Sequence, residues 1–133
     1  YHNSLRELGK PIPQELPIRK DCIVAETREE AMKEAVQESN NQLMGVQTLQ
    51  GSAPSKDTRP ELLSSDMTID DMSQRGIIVG TPDDCVRQIR AHEEALGKLH
   101  MIFRMTFPGI EPSSAIRTMK LFSEEVMPRF TEK

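Results

Sequence analysis

The predicted strand Leu99–Thr106 carries the side chains that are the best candidates for a functional site. Its residues alternate between an apolar face and a more polar one: Leu99, Met101, Phe103 and Met105, then His100, Ile102, Arg104 and Thr106. A guanidinium near a strand's carboxyl end can bind an anion by charge-assisted hydrogen bonds. The alternative is a structural salt bridge from Arg104 to a carboxylate of a loop or a neighbouring strand. Arg104 and Thr106 are the candidate binding residues, and no catalytic residue is assigned.

The histidines indicate no further chemistry. His100 is expected to be buried, neutral and hydrogen-bonded, deeper on the face that carries Arg104. His2 and His92 fall on predicted helices and are expected at the surface. Because the histidines do not have a metal-ligand spacing, no metal site is predicted.

Two pairs of neighbouring carboxylates could suggest acid–base catalysis: Asp83 with Asp84, and Glu124 with Glu125. Adjacent helix positions do not face each other, so such pairs cannot act on one substrate. Both pairs are predicted to be solvated or to face a helix dipole. The sequence "VGTPDD" is likewise predicted to cap a helix rather than to bind phosphate, because two aspartates would adjoin the anion.

Two helices with clear start or stop signals in the sequence position the strands. A strand in Ile18–Glu26 is followed by a capping box, Thr27 with Glu30, and by a helix to about Ser39 whose inner face includes Ala31, Ala35 and Val36. After the apolar run "IIVG", Thr81 is a predicted N-cap and Gly97 a helix stop. With an opening helix that stops near Gly9 and a last helix from about Pro112 to Pro128, the predicted order is helix, strand, helix, long loop, helix, strand, helix.

The segment Asn40–Arg75 shows no sustained periodicity and is rich in Gly, Pro, Ser and Asp. Short helical turns are possible at Pro60–Leu63 or Ile69–Met72. Long irregular segments inside a domain are usually functional lids or disordered linkers, and composition leaves both open.

Composition restricts the class of protein. At 133 residues the chain is of one-domain size, but only 36% of residues are hydrophobic and none is Trp. The net charge of −4 is spread in both signs, which argues against nucleic-acid binding. The sequence shows neither a membrane span nor a signal peptide. Cys22 and Cys85 lie far apart, which favours reduced, partly buried thiols and a cytoplasmic location.

The chain is expected to be the end of something longer. It begins at Tyr1, inside a short uncapped helix. Two strands joined through helices pair in parallel, and a two-stranded parallel sheet leaves two open edges. A (β/α)8 TIM barrel with six more βα units upstream would close them. Arg104 and Thr106 would then point inward at the functional mouth of the barrel.

Four segments resemble one known family: "RKDCIVAETREEA", "VGTPDDCVRQI", "FRMTFPG" and "SAIRTMKLFSEEVMPRF". They are similar, in this order, to the C-terminal portion of the bacterial luciferase-like flavin-dependent monooxygenases, a family that includes alkanesulfonate monooxygenases and deazaflavin-dependent reductases. The resemblance implies that residues 1–133 are an α/β segment, about strands 7 and 8 of one barrel domain. Residues 40–75 would be its lid insertion.

The resemblance also implies an activity. A full-length oxidoreductase would use reduced FMN and oxygen on a small organic substrate. The implied partner is a flavin reductase, and the implied assembly is a homo-oligomer. The alternatives are a deazaflavin-dependent hydride-transfer reductase of the same fold and a standalone, non-enzymatic α/β binding module. In this family the main flavin contacts lie upstream of the portion matched here, so this chain alone is expected to be inactive.

Overall fold

The computed structural model describes residues 2–13, 15–49, 63–107 and 109–131. Its strands form one three-stranded parallel sheet in the order β2-β1-β3, so the first strand of the chain lies in the centre. The elements in chain order are α1 (His2–Glu7), β1 (Leu16–Val24), α2 (Arg28–Leu49), α3 (Ile69–Gln74), β2 (Ile77–Gly80), α4 (Pro82–Leu96), β3 (Leu99–Arg104), α5 (Pro112–Leu121), a π-helix (Phe122–Val126) and α6 (Pro128–Thr131).

The two predicted strands are β1 and β3, and they are adjacent and parallel as expected. Their register runs from Leu16 opposite Leu99 to Asp21 opposite Arg104. The structure adds β2, which pairs with the second half of β1 from Asp21 opposite Ile77 to Val24 opposite Gly80. The sequence marks this run only as apolar, because four residues without alternation do not distinguish strand from helix.

Helices cover both faces of the sheet. On one face, α2 and α3 pack around Ile23 and Val79; on the other, α4 and the π-helix pack around Cys22 and Ile78. The second half of β1 is therefore buried on both sides, which explains its unbroken apolar run. Consecutive barrel units have sequential strand order and helices on one face only. This sheet has neither feature, so the assignment to barrel units is not confirmed.

The start and the end predicted for α4 are confirmed. Thr81 is the N-cap, its side chain accepts a hydrogen bond from the Asp84 N–H, and Pro82 begins the helix. The Asp84 carboxylate in turn accepts from the Thr81 N–H at 3.2 Å, which completes a capping box. Gly97 ends the helix with φ of 83°.

The prediction that α2 ends near Ser39 is wrong, because the helix continues to Leu49. Residues 40–49 of the segment predicted to be irregular are therefore helical. Asn40 stabilises this extension: its amide donates to the Leu63 carbonyl at 3.1 Å and accepts from the Leu63 N–H at 2.7 Å. The turn predicted at Ile69–Met72 is present as α3. Residues 50–62 lie outside the described residues, so the lid prediction stays untested.

The two faces of β3 differ as the alternation predicts. Met101, Phe103 and Met105 pack against the core formed by α4 and the π-helix. His100 is exposed and Ile102 is 50% exposed on the opposite face. The prediction of a buried His100 is therefore wrong, since α2 covers only the second half of β1 on that side.

Cys22 and Cys85 are free thiols that come together in the core, each completely buried. The thiol of Cys22 is hydrogen-bonded to Cys85, and this contact together with burial raises its pKa. A protonated, buried thiol is a poor nucleophile. Both residues therefore act as small apolar core groups.

The side chain of Thr118 in α5 supplies the hydrogen bonds that a neighbouring strand would otherwise make to the end of β1. The pairing of β3 with β1 stops at Asp21, so the Val24 backbone has no strand partner on that side. The completely buried Thr118 Oγ1 accepts from the Val24 N–H and donates to the Val24 carbonyl, both at 3.2 Å. This hydroxyl satisfies two buried backbone groups at once.

We expect Thr118→Val to lower the free energy of unfolding by about 2 kcal/mol, because the isosteric side chain leaves two buried backbone groups unpaired. Urea denaturation followed by circular dichroism measures the loss. The control is Thr106→Val, since Thr106 is exposed. Equal effects of the two substitutions would contradict this role of Thr118.

Candidate functional site

Arg104 lies at the carboxyl end of β3 and is held from three sides. Its Nε and Nη2 donate to the two carboxylate oxygens of Asp21 at 2.8 and 2.6 Å. Nη2 also donates to Oε1 of Gln42 at 3.0 Å. The guanidinium carbon lies 4.8 Å from the centroid of the Phe107 ring, a cation–π distance.

Sheet register and the length of α2 bring these groups together. Asp21 and Arg104 are register partners on adjacent strands, so their side chains leave the sheet on the same face. That face is the one on which α2 packs, and Gln42 belongs to the helical extension that the sequence did not predict. Arg104 therefore lies between the sheet and α2.

Arg104 forms a bidentate salt bridge with Asp21 on the neighbouring strand. This is the structural role that the sequence predicts as the alternative to anion binding. Asp21 balances the charge of the guanidinium, whose side chain is 31% exposed. Within the described residues, Nη1 makes no hydrogen bond, so it is the nitrogen that remains for a bound anion. Binding through Nη1 is compatible with the pair, but the pair reduces the net attraction for an anion.

Thr106 follows the end of β3 and is exposed. No side-chain hydrogen bond in the described part of the chain joins it to Arg104. The structure thus brings Arg104 together with Asp21 and Gln42, which the sequence did not single out, rather than with Thr106.

We expect Asp21 and Arg104 to be energetically coupled. In a double-mutant cycle of Asp21→Ala and Arg104→Ala, the coupling should be about 1 to 2 kcal/mol, since the pair is bidentate but partly screened by solvent. Urea unfolding of the four proteins measures it. A coupling near zero would show that the two groups contribute independently. The exposed pair Lys98 with Glu15, 3.8 Å apart, is the control and should couple by less than about 0.5 kcal/mol.

Asp84 lies in the first turn of α4 and faces the helix dipole, one of the two environments predicted for it. Its complete burial is not predicted. Nε and Nη2 of Arg28 donate to its two oxygens at 2.8 and 2.7 Å, and Nη2 of Arg87 donates at 2.8 Å. The hydrogen bond from Arg28 is the main cause that holds the pKa of Asp84 well below its ordinary value, with help from Thr81 and Arg87.

The position of Asp84 follows from its capping role. The cap folds the carboxylate back towards Thr81 and over Gly80, and Arg28 at the start of α2 covers it. The sequence signal for the burial of Asp84 is the combination of a capping box with a glycine directly before it. Asp83, its neighbour, has a 76% exposed side chain, as predicted for the pair.

Arg28 and Arg87 also line an open cleft of about 410 Å³ between α2, α3 and α4. Glu29 and Asp70 line the same cleft. Two cations, two lining carboxylates and the buried Asp84 leave no positive excess, so the cleft is not a site for anions.

In the part of the chain that the structure describes, no group of three or more His, Cys, Asp or Glu side chains is arranged to hold a metal ion. No helix in that part has both the length and the apolarity needed to cross a membrane.

Comparisons with known proteins give structural matches alone, as no family model and no curated protein matches the chain. The monooxygenase RslO1 from Streptomyces bottropensis superposes with a TM-score of 0.66 and 21% identity, over 98% of this chain and 36% of its own. The oxygenating constituent of 3,6-diketocamphane monooxygenase from Pseudomonas putida, a type II Baeyer–Villiger enzyme in complex with FMN, gives 0.59 and 18%, over 97% and 38%. This chain therefore has the fold of a segment, a little over a third in length, of monooxygenases of known structure, one of which binds FMN.

Proposed function

We propose that this chain is the C-terminal part of a luciferase-like, flavin-dependent monooxygenase with a (β/α)8 barrel. In this proposal β1 and β3 are consecutive barrel strands, about the seventh and eighth, and β2 is an additional short strand that is not counted among the eight. The whole protein would use reduced FMN and oxygen to oxidise a small organic substrate. The observation that carries the proposal is the superposition of nearly the whole chain on two separate monooxygenases.

Three features of the chain support this proposal. The parallel strands β1 and β3 end on the same side of the sheet, where α/β proteins bind ligands. Arg104 stands at that end with its guanidinium held in a fixed orientation. Four sequence segments resemble the luciferase-like family. Fold likeness alone does not define an activity, so the proposal depends on these features together.

The described residues do not by themselves form a flavin site. A flavin phosphate needs a cluster of donors, and the start of α4, at "VGTPDD", is filled by the Asp84 carboxylate. At the carboxyl end of β3, Nη1 of Arg104 makes no hydrogen bond within the described residues and is a single donor rather than a cluster. The phosphate and ring contacts would come from other parts of the protein, and we assign no reaction step to this chain.

Within this proposal, Arg104 and Thr106 contribute to substrate or flavin binding, and the catalytic residues remain unassigned. A flavin reductase would supply the reduced cofactor, and the full-length enzyme would be a cytoplasmic homo-oligomer. A deazaflavin-dependent reductase of the same fold is the second candidate, because Arg104 could serve either cofactor. A standalone binding module is the third.

The test uses the protein expressed from its complete natural gene. It is titrated anaerobically with reduced FMN and separately with a reduced deazaflavin, and oxygen uptake is then followed with cyclic ketones and alkanesulfonates. Binding of reduced FMN and substrate-dependent oxygen uptake are expected. Oxidation of the deazaflavin without oxygen uptake would favour the reductase, and binding of neither cofactor would overturn both enzyme proposals. Unchanged turnover and affinity in Arg104→Ala would remove Arg104 from the site.

A further inference from the structure

Glu38 is a carboxylic acid on the buried face of α2. Residues 31, 35, 38 and 42 recur at three- and four-residue steps and thus share one side of the helix. Ala31 and Ala35 on this face are completely buried. Glu38 comes next in the series and is only 5% exposed, where a helix of this kind normally has an apolar residue.

One oxygen of the Glu38 carboxyl group, Oε2, is buried and has no hydrogen-bond partner within the described residues. Burying an ionised carboxylate without a partner is far more costly than burying the neutral acid. Burial is accordingly the largest cause that raises the pKa of Glu38 above its ordinary value of 4.5, followed by the negative charges of Glu34 and Glu111.

The surroundings of Glu38 are acidic, and the nearby cations are engaged elsewhere. Glu34 lies one turn earlier on α2, and Glu111 is the N-cap residue of α5. Arg117 of α5 donates to Glu30 at 2.9 Å and to Glu34 at 2.6 Å. Arg104 of β3 is held by Asp21 and Gln42. Neither Arg117 nor Arg104 is therefore placed to balance an ionised Glu38.

Glu38 lies along the contact between α2 and the β3–α5 connection, whose described residues are 105–107 and 109–111. Phe107 of this connection packs into the core with Ala35. A Cβ at Gly109 would lie 3.1 Å from Nδ2 of Asn41, which shows how closely the connection approaches α2. Glu111 ends the connection near Glu38. The contact thus extends along α2 on both sides of Glu38.

We propose that Glu38 is a protonation-dependent latch, which holds the β3–α5 connection against α2 when neutral and loosens it when ionised. Ionisation would place a third negative charge beside Glu34 and Glu111, while Arg117 and Arg104 are paired with other carboxylates. The latch depends on packing and charge alone, so it stands whether or not the protein is a monooxygenase. Because the connection carries Thr106 and directly follows Arg104, loosening would also change the candidate site.

The direction of the pH effect follows from the raised pKa. A group that is harder to ionise in the folded state than in the unfolded state favours folding when it is protonated. The contribution of Glu38 is therefore fully present at low pH, below the ordinary carboxyl value. It is lost as the pH rises through the raised pKa.

The experiment is an NMR titration between about pH 4 and pH 9, a range that extends well above the ordinary carboxyl pKa. The carboxyl carbon of Glu38 reports its ionisation directly. Amide hydrogen exchange, corrected for its intrinsic pH dependence, reports opening of the connection at Ile110, whose N–H donates to the Phe107 carbonyl at 3.1 Å. We expect protection at Ile110 to fall severalfold over the same pH interval in which Glu38 ionises.

Two variants separate the latch from general effects of pH. Glu38→Gln keeps the shape of the neutral acid and should leave Ile110 protected across the range. Glu29→Gln, at an exposed position of the same helix, should behave as the unmodified protein does. An ordinary carboxyl titration of Glu38 would overturn the proposal, as would an unaltered loss of protection in Glu38→Gln. The carboxyl titration needs no variant and is decisive even if the glutamine protein folds poorly.

Discussion

Asp84→Asn is expected to lower the free energy of unfolding by about 3 kcal/mol, because it removes the charge from a buried carboxylate that accepts several charge-assisted hydrogen bonds. Asp84 joins the start of α2, through Arg28, to the start of α4, through Thr81. An asparagine keeps the size of the side chain but cannot accept from Arg28 with both of its terminal atoms. Urea denaturation at neutral pH measures the loss.

The matched control is Asp83→Asn, one residue away on the same helix. Asp83 pairs with Arg129 at the surface, with a 76% exposed side chain. Surface ion pairs contribute little, so the change should stay below about 0.5 kcal/mol. Similar losses from the two substitutions would show that burial of Asp84 does not set its contribution.

The pH dependence gives a second check on Asp84. Its lowered pKa means that the folded state favours the ionised form, so its contribution is present above the ordinary value of 3.8. The contribution is lost progressively as the pH falls below that value. The unmodified protein should therefore lose stability in acid more steeply than Asp84→Asn, and parallel curves would contradict the assignment.

Gly80→Ala is expected to destabilise the fold by about 4 kcal/mol, because strain from an unfavourable φ and steric overlap add together. Gly80 has φ of 135°, a conformation that side chains rarely adopt. An added Cβ would lie 2.6 Å from the Cβ of Asp84 and 2.8 Å from its Oδ2. The methyl group would force Asp84 away from its partners. Thermal unfolding followed by circular dichroism measures the effect.

Gly97→Ala separates the two causes. Gly97 also has positive φ, at 83°, but nothing lies within 4 Å of the position where a Cβ would be. Its substitution should cost only the backbone strain, about 1 to 3 kcal/mol. If Gly80→Ala costs no more than Gly97→Ala, then close packing of Asp84 on Gly80 is not important for stability.

Local signals predicted the local structure of this chain well. The cap at Thr81 and the stop at Gly97 fix α4 because the residues concerned satisfy its terminal backbone groups directly. The alternation in Leu99–Thr106 correctly separated the face of β3 that meets helices from the other face. These features depend on residues close in sequence, which a sequence displays directly.

What the sequence could not predict depends on contacts between distant residues. The central place of β1 results from pairing with both β2 and β3, and periodicity says nothing about which strands are neighbours. Residues 40–49 are helical in spite of the weak helix propensity of Asn and Gly, and Asn40 among them bonds to Leu63, 23 residues away in sequence. The burial of Asp84 depends on Arg28, 56 residues away in sequence.

The central position of β1 has a consequence for folding during synthesis on the ribosome. β1 leaves the ribosome before either of its partners, and its Asp21 meets Arg104, which is made 83 residues later. At synthesis rates of about 5 to 20 residues per second, the edge of this strand that pairs with β3 stays uncovered for several seconds. Its apolar segment "DCIVA" is therefore incompletely covered during that time. Synthesis of β3, rather than of β1, determines when the sheet can close.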